Sequence, residues 1–256
     1  MIVYSFVPQA DKIKTRGKIK QTAASNIFNI SAGTLTISGG EIYQEKGATA
    51  IFQDGGNIII NGGKINVPGN NYALQTNSGT VNISDGEIVS NGSYTIYVNN
   101  TGTKTLDVDI TGGTIKSVKG EPNVSSAVYI IYINAITENS SFDITGGQFK
   151  SNNRFVYSKD GTAASVKISN GTSSTPYFYT YNTTGTSDSQ NKPFLKQSSA
   201  AAAIVLGGGY YGCAANNTGV WAINNCSYAD GKTSLITTHT GPDGLMYKRY
   251  VTDKNN

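Results

Sequence analysis

GTLTISGGEI (33–42), GNIIINGGKI (56–65) and GTVNISDGEI (79–88) are three copies of one pattern. LDVDITGGTI (106–115), SFDITGGQF (141–149) and SVKISNGT (165–172) are looser copies of it. Their anchoring isoleucines, Ile37, Ile60, Ile83, Ile110, Ile144 and Ile168, are spaced by 23, 23, 27, 34 and 24 residues. A short period broken only by insertions is the signature of a solenoid, in which no unit can bury its apolar face alone and each must stack on its neighbours.

Inside a unit the period falls to two, which predicts strands. In the second unit these are Thr49–Gln53, Asn57–Asn61 and Lys64–Val67, with Ile58 and Ile60 pointing one way and Asn57, Ile59 and Asn61 the other. Between the second and third strands stands a pair whose second member is always glycine: Gly40, Gly63, Gly86, Gly113, Gly147 and Gly171. A sharp bend with positive φ demands that residue. Where the first glycine is replaced, Asp85 or Asn170 replaces it, both types that tolerate left-handed backbone.

On this coil length and the I-x-G-G-x-I motif, residues 25–172 resemble the right-handed parallel β-helix of pectate-lyase-like enzymes, phage tailspikes and bacterial surface proteins. The repeats are also similar to those of β-helical carbohydrate-binding and adhesin proteins of Gram-positive bacteria. The resemblance implies an all-β solenoid of about six to seven coils. Residues 1–24 then form an N-terminal cap or arm, and residues 173–256 a degenerate last coil and a small C-terminal cap. Fold alone assigns no activity.

Stacked units place one side chain per coil in each column, about 4.8 Å apart. Leu35, Ile58, Val81, Val108, Phe142 and Val166 make one predicted core column, and Ile42, Ile65, Ile88, Ile115 and Phe149 another. Of the outward columns, Glu41, Lys64 and Glu87 alternate in sign and read as a register-setting charge ladder. Asp107, Asp109 and Asp143 cluster beside Lys167. Neighbouring carboxylates repel unless a cation or a proton intervenes, and calcium suits such oxygen ligands, so the three are a candidate metal site as well as an ordinary ion-pair cluster.

The least bland column lies on the first strand. Phe52, Gln75, Tyr97, Tyr132 and Tyr157 align outward, edged two residues on by Asp54, Asn77, Asn99, Asn134 and Lys159. Flat aromatic faces suit the C–H surfaces of sugars, and amides suit their hydroxyls. Phe52, Tyr97, Tyr132, Tyr157, Asn77, Asn99 and Asn134 are therefore the candidate ligand-binding residues, against the alternative of stacking that only stabilises the sheet. The same alignment turns Tyr72, Tyr94 and Tyr129 inward. Insertions at 99–105, 118–126 and 134–140 flank the stripe.

The net charge of +4 sits in the first twenty residues, where Lys12, Lys14, Arg16, Lys18 and Lys20 face only Asp11. Such an arm reads as an edge strand that blunts the solenoid's open end. A neutral body lacks the distributed basic surface that nucleic acid needs. Cys213 and Cys226, the two cysteines of the chain, suit one disulfide closing a surface loop, which points to an extracellular location. No apolar run approaches a membrane span. The stretch after Met1 is also too short for a secretory signal, so export or membrane attachment is expected to depend on a segment preceding it.

No catalytic constellation emerges. His239 lacks a nucleophile partner at recognisable spacing, and Asp109 with Asp143 is the one carboxylate pair at hand, on a flat face rather than in a cleft. The expectation is a non-enzymatic extracellular module that binds polysaccharide or acts as a cell-surface adhesin. The alternatives are a structural or filament-associated, pilin-like subunit without a glycan ligand and, behind it, a polysaccharide lyase or glycosidase.

Overall fold

A computed structural model describes residues 4–5, 10–13, 17–119, 128–152, 154–159, 166–181, 195–197, 204–213, 223–224, 227–228 and 233–252. The described residues are all-β, without a helix, and stack as a parallel β-solenoid of about six turns. Short strands continue the stacking at both ends.

Two sheets make the coils. The first strands of successive units, among them Ile51–Gln53, Leu74–Thr76, Tyr94–Asn99, Tyr129–Ala135 and Arg154–Ser158, form a nine-stranded sheet paired parallel throughout. Second and third strands share a sixteen-stranded sheet. In the three regular units they run as single strands, Thr34–Gln44, Asn57–Val67 and Gly79–Ser90, bent at the glycine pair. The second glycine has positive φ in five coils, from +69° at Gly40 to +97° at Gly86. At Gly63 an added Cβ would also lie 2.7 Å from the Gly39 carbonyl oxygen of the coil below, so stacking as well as φ excludes a side chain there.

The predicted core columns are core. Leu35, Ile58, Val81, Val108, Phe142 and Val166 are at most 1% exposed, as are Ile42, Ile65, Ile88, Ile115 and Phe149. Registers pair them coil on coil, as with Ile58 on Val81 and Val81 on Val108. Burial is worth about 1.5–3 kcal/mol per large aliphatic side chain, and here most of it is realised against a neighbouring coil.

Stacking reaches beyond residues 25–172. Ala10–Ile13 and Lys18–Gln21 pair parallel with the two halves of Thr34–Gln44, so the basic segment is two strands of a first coil rather than one edge strand. Past residue 172, Tyr177–Thr180, Ile204–Gly207 and Tyr210–Cys213 extend the ladders. The antiparallel hairpin of Thr233–Thr240 and Met246–Thr252 then covers the edge of Tyr210–Cys213.

Candidate functional site

The corner leading into each first strand decides which side chains reach the outer face. There two successive residues both turn inward: Ala73 and Leu74, Thr95 and Ile96, Ile130 and Ile131 are each fully buried. Strict alternation therefore slips by one position at the corner. Tyr72 and Tyr94, expected inward, lie instead half-buried on the outer side, against the stripe. Tyr129 is 3% exposed, yet its ring stacks on Tyr157 in the same run. The signal was present in the sequence as Y-x-x-Y at 94–97 and 129–132.

The register puts Phe52, Gln75, Tyr97, Tyr132 and Tyr157 in one column, as expected. Gln75 separates Phe52 from the tyrosines. Six tyrosines then interleave as two columns. Corner residues Tyr72, Tyr94 and Tyr129 stack on Tyr97, Tyr132 and Tyr157 of the next coil, with ring centroids 4.9, 4.1 and 4.9 Å apart. Within the strand column the rings are 5.9 Å (Tyr97–Tyr132) and 5.2 Å (Tyr132–Tyr157) apart. Burial, with lesser help from neighbouring phenols, pushes Tyr94 and Tyr97 above the usual tyrosine range and Tyr132 furthest of the ladder; burial alone does so for Tyr72. These phenols stay protonated at any physiological pH.

Beside the rings, Asn134 donates Nδ2 to Asn99 Oδ1 at 2.8 Å, and Lys159 Nζ donates to Asn134 Oδ1 at 3.4 Å, so this edge is a hydrogen-bonded ladder. Asn77 departs from the expectation. Its Oδ1 is buried without a hydrogen-bond partner, and its backbone carbonyl accepts from Asn100 of the 99–105 insertion. That insertion is pinned by Asn100, itself 1% exposed. Asn100 Nδ2 donates to the carbonyls of Asn77 and Lys104, both at 2.8 Å, while Oδ1 accepts from Thr137 N at 2.9 Å, Thr137 Oγ1 at 2.8 Å and Ser140 Oγ at 2.9 Å. Two of the insertions flanking the stripe are thus tied to one buried amide. Lys104 adds an ion pair to Asp54 at 2.7 Å.

The acidic cluster is brought together only in part. Asp109 pairs in register with Asp143, and Asp143 with Lys167. Burial, reinforced by Asp109 and Asp107 and opposed by Lys167, holds the Asp143 carboxyl above the ordinary range. Asp107 lies two residues along the strand, about 7 Å away, and accepts a hydrogen bond from Ser141 Oγ at 2.9 Å. Among the described residues no three acidic, histidine or cysteine side chains converge on a point where a cation would sit.

The charge ladder stands as ion pairs. Lys18 meets Glu41 at 3.0 Å, Lys64 meets Glu87 at 2.8 Å, and Lys116 meets the other oxygen of Glu87 at 2.6 Å. Lys18 holds the Glu41 carboxyl below its usual range, and Lys116 does the same for Glu87. At the C-terminal end the sequence reading missed two features. Tyr177, Tyr210 and His239 stack at 4.8 and 4.4 Å, fastening the hairpin to the solenoid. Lys150 and Asp243, each about 15% exposed, pair at 3.0 Å, and Tyr247 donates its hydroxyl to Asp243 at 2.8 Å. Cys213 ends the Tyr210–Cys213 strand, and Cys226 lies outside the described residues, so the disulfide is untested.

Comparison with protein-family models, curated proteins and solved structures finds no match to this chain.

Proposed function

We propose that the chain is a non-enzymatic, extracellular β-helix module that holds an extended polysaccharide along its tyrosine–asparagine face. The observation supporting this is the unbroken run of six tyrosines from Tyr72 to Tyr157, edged by Asn99, Asn134 and Lys159. Because the ring faces lie against one another, the contacts on offer are phenol hydroxyls and ring edges rather than open faces. Successive coils repeat every ~4.8 Å, close to the rise of one sugar, so a chain lying along the axis meets one rung per residue. Each contact is weak, and a row of them gains by multivalency.

A glycan array with the wild-type chain, followed by titration of the best hit, tests this. Tyr132→Phe keeps the ring but removes a hydroxyl, and should weaken binding several-fold without a change in melting temperature. An array with no saturable hit, or unchanged affinity in the triple variant Tyr97→Phe, Tyr132→Phe, Tyr157→Phe, rejects the reading.

The second reading is a structural or filament-associated surface unit whose ladder only stabilises the stack. It is favoured by the mutual occupation of the ring faces, and it stands if binding is absent while truncating a ring destabilises the fold.

A further inference from the structure

The three shortest ring contacts of the ladder all join one coil to the next. Tyr72–Tyr97, Tyr94–Tyr132 and Tyr129–Tyr157 lie 4.9, 4.1 and 4.9 Å apart, with interplanar angles of 18°, 23° and 26°. Contacts of 5.2 to 6.4 Å link these pairs to one another. The result is a continuous path of six phenols across four coils.

A phenol gives up an electron together with its hydroxyl proton, and the phenoxyl radical carries much of its spin on the ring carbons ortho to oxygen. We infer that this ladder is a site of oxidative tyrosine coupling, in which hydrogen peroxide acting through a haem peroxidase joins Tyr94 to Tyr132 and fastens two coils covalently. Each of the two phenols loses one electron and one proton. Their ortho carbons form one C–C bond, and the hydrogen on each of those carbons moves to the phenolic oxygen, restoring two aromatic rings. The two electrons and two protons reduce one peroxide to two waters, so the protein becomes lighter by two hydrogens.

Three observations favour this pair. It is the closest in the ladder and lies at its middle, where a radical formed on any rung arrives by short steps between touching rings. Both residues are half-buried rather than fully buried, and from a 4.1 Å stack a tilt about χ1 and χ2 is the movement that brings the ortho carbons together. A neighbour held at contact also has an effective concentration far above that of a second molecule in solution. Two sites compete. Tyr177–Tyr210, stacked at 4.8 Å, is wider than Tyr94–Tyr132 but continues through Tyr247 and Tyr179 to Tyr181, and Tyr181, 39% exposed, is placed to couple between molecules. The inference does not rest on glycan binding.

The test treats the folded chain with a haem peroxidase and a small excess of hydrogen peroxide. Intact mass, a denaturing gel and peptide mapping follow. The expected product is a monomer lighter by two hydrogens, in which the peptides carrying Tyr94 and Tyr132 are joined. Tyr132→Phe keeps the ring in the stack but forms no phenoxyl, and should lose that linkage. Prior unfolding in urea should lose it as well. A product consisting only of dimers, or a linkage at Tyr177–Tyr210 in place of Tyr94–Tyr132, overturns the inference. So does a linkage that survives Tyr132→Phe or unfolding.

Discussion

Replacing Tyr132 by alanine separates a ladder that holds the coils together from a stripe displayed to solvent. Tyr132 contacts Tyr94 at 4.1 Å, Tyr157 at 5.2 Å, Tyr97 at 5.9 Å and Tyr129 at 6.0 Å. Aromatic pairs contribute about 0.5–1.5 kcal/mol each beyond area burial, so the two closest supply roughly 1–3 kcal/mol. A half-buried ring adds about 1 kcal/mol of transfer free energy, half that of a fully buried side chain. Tyr132→Ala should therefore cost about 2–4 kcal/mol. Tyr132→Phe, which keeps every ring contact, should cost under about 1 kcal/mol. Urea unfolding followed by circular dichroism measures both, read as a shift in midpoint at unchanged slope. A Tyr132→Ala cost below about 0.5 kcal/mol, the range of ordinary surface substitutions, would refute the stacking account. So would equal costs for the two variants, because the loss would then belong to the hydroxyl.

Two further outcomes follow from buried polar groups. Asn100→Ala should cost about 2–3 kcal/mol, since it strips two carbonyls and the Thr137 and Ser140 donors of their buried partner. Asn100→Asp should cost at least as much despite its similar shape, because a carboxylate would face the Asn77 and Lys104 carbonyls; thermal melts of both variants check this. At the cap, burial pushes the Asp243 carboxyl up, but hydrogen bonds from Lys150, Tyr247 and the Leu245 N–H outweigh it and hold it below the ordinary range. A depressed carboxylate contributes stability that is complete above its unfolded pKa, about 3.9, and is lost as pH falls through the lower folded value. The protection factors of the Tyr210 and Tyr211 amides, whose strand edge the hairpin covers, should therefore fall below about pH 4, and Asp243→Asn should lower them already at neutral pH.

The core was legible because its period is short and its corners are marked. Ile58, Ile60 and Ile65 recur with a glycine pair at a fixed offset, and stacking in register leaves each of them no alternative environment. The outer face was legible only where alternation holds. Tyr97, Tyr132 and Tyr157 follow the alternation and fell in the right column, whereas Tyr72, Tyr94 and Tyr129 each precede two residues buried in succession, which breaks it. Asn77 follows the outward alternation, yet its Oδ1 is buried. Its carbonyl is held by Asn100, 23 residues on, inside an insertion that no repeat pattern could place. The clamp between Lys150 and Asp243 joins residues on the solenoid and on a hairpin outside the repeat, and no periodicity relates them.

The corner slip has a consequence for what the ladder does. Within the strand column Tyr97 and Tyr132 stand 5.9 Å apart, wider than the ~4.8 Å step between coils, which leaves a gap between their faces. The corner tyrosines fill it from the side, bringing each coil's second ring to 4.1–4.9 Å of the next coil's strand ring. This doubling occurs in one part of the stack. The units spaced by 23 residues place Phe52 and Gln75 in the column, and the tyrosine pairs gather where the spacing lengthens to 27 and 34. There the rings join successive coils beside a backbone pairing that runs on through them, as where Tyr129 N–H donates to the Ser93 carbonyl at 3.0 Å. A ladder that bridges coils stabilises the stack whether or not it binds a ligand, so glycan binding is to be judged from the hydroxyls, through Tyr→Phe, and not from loss of the rings.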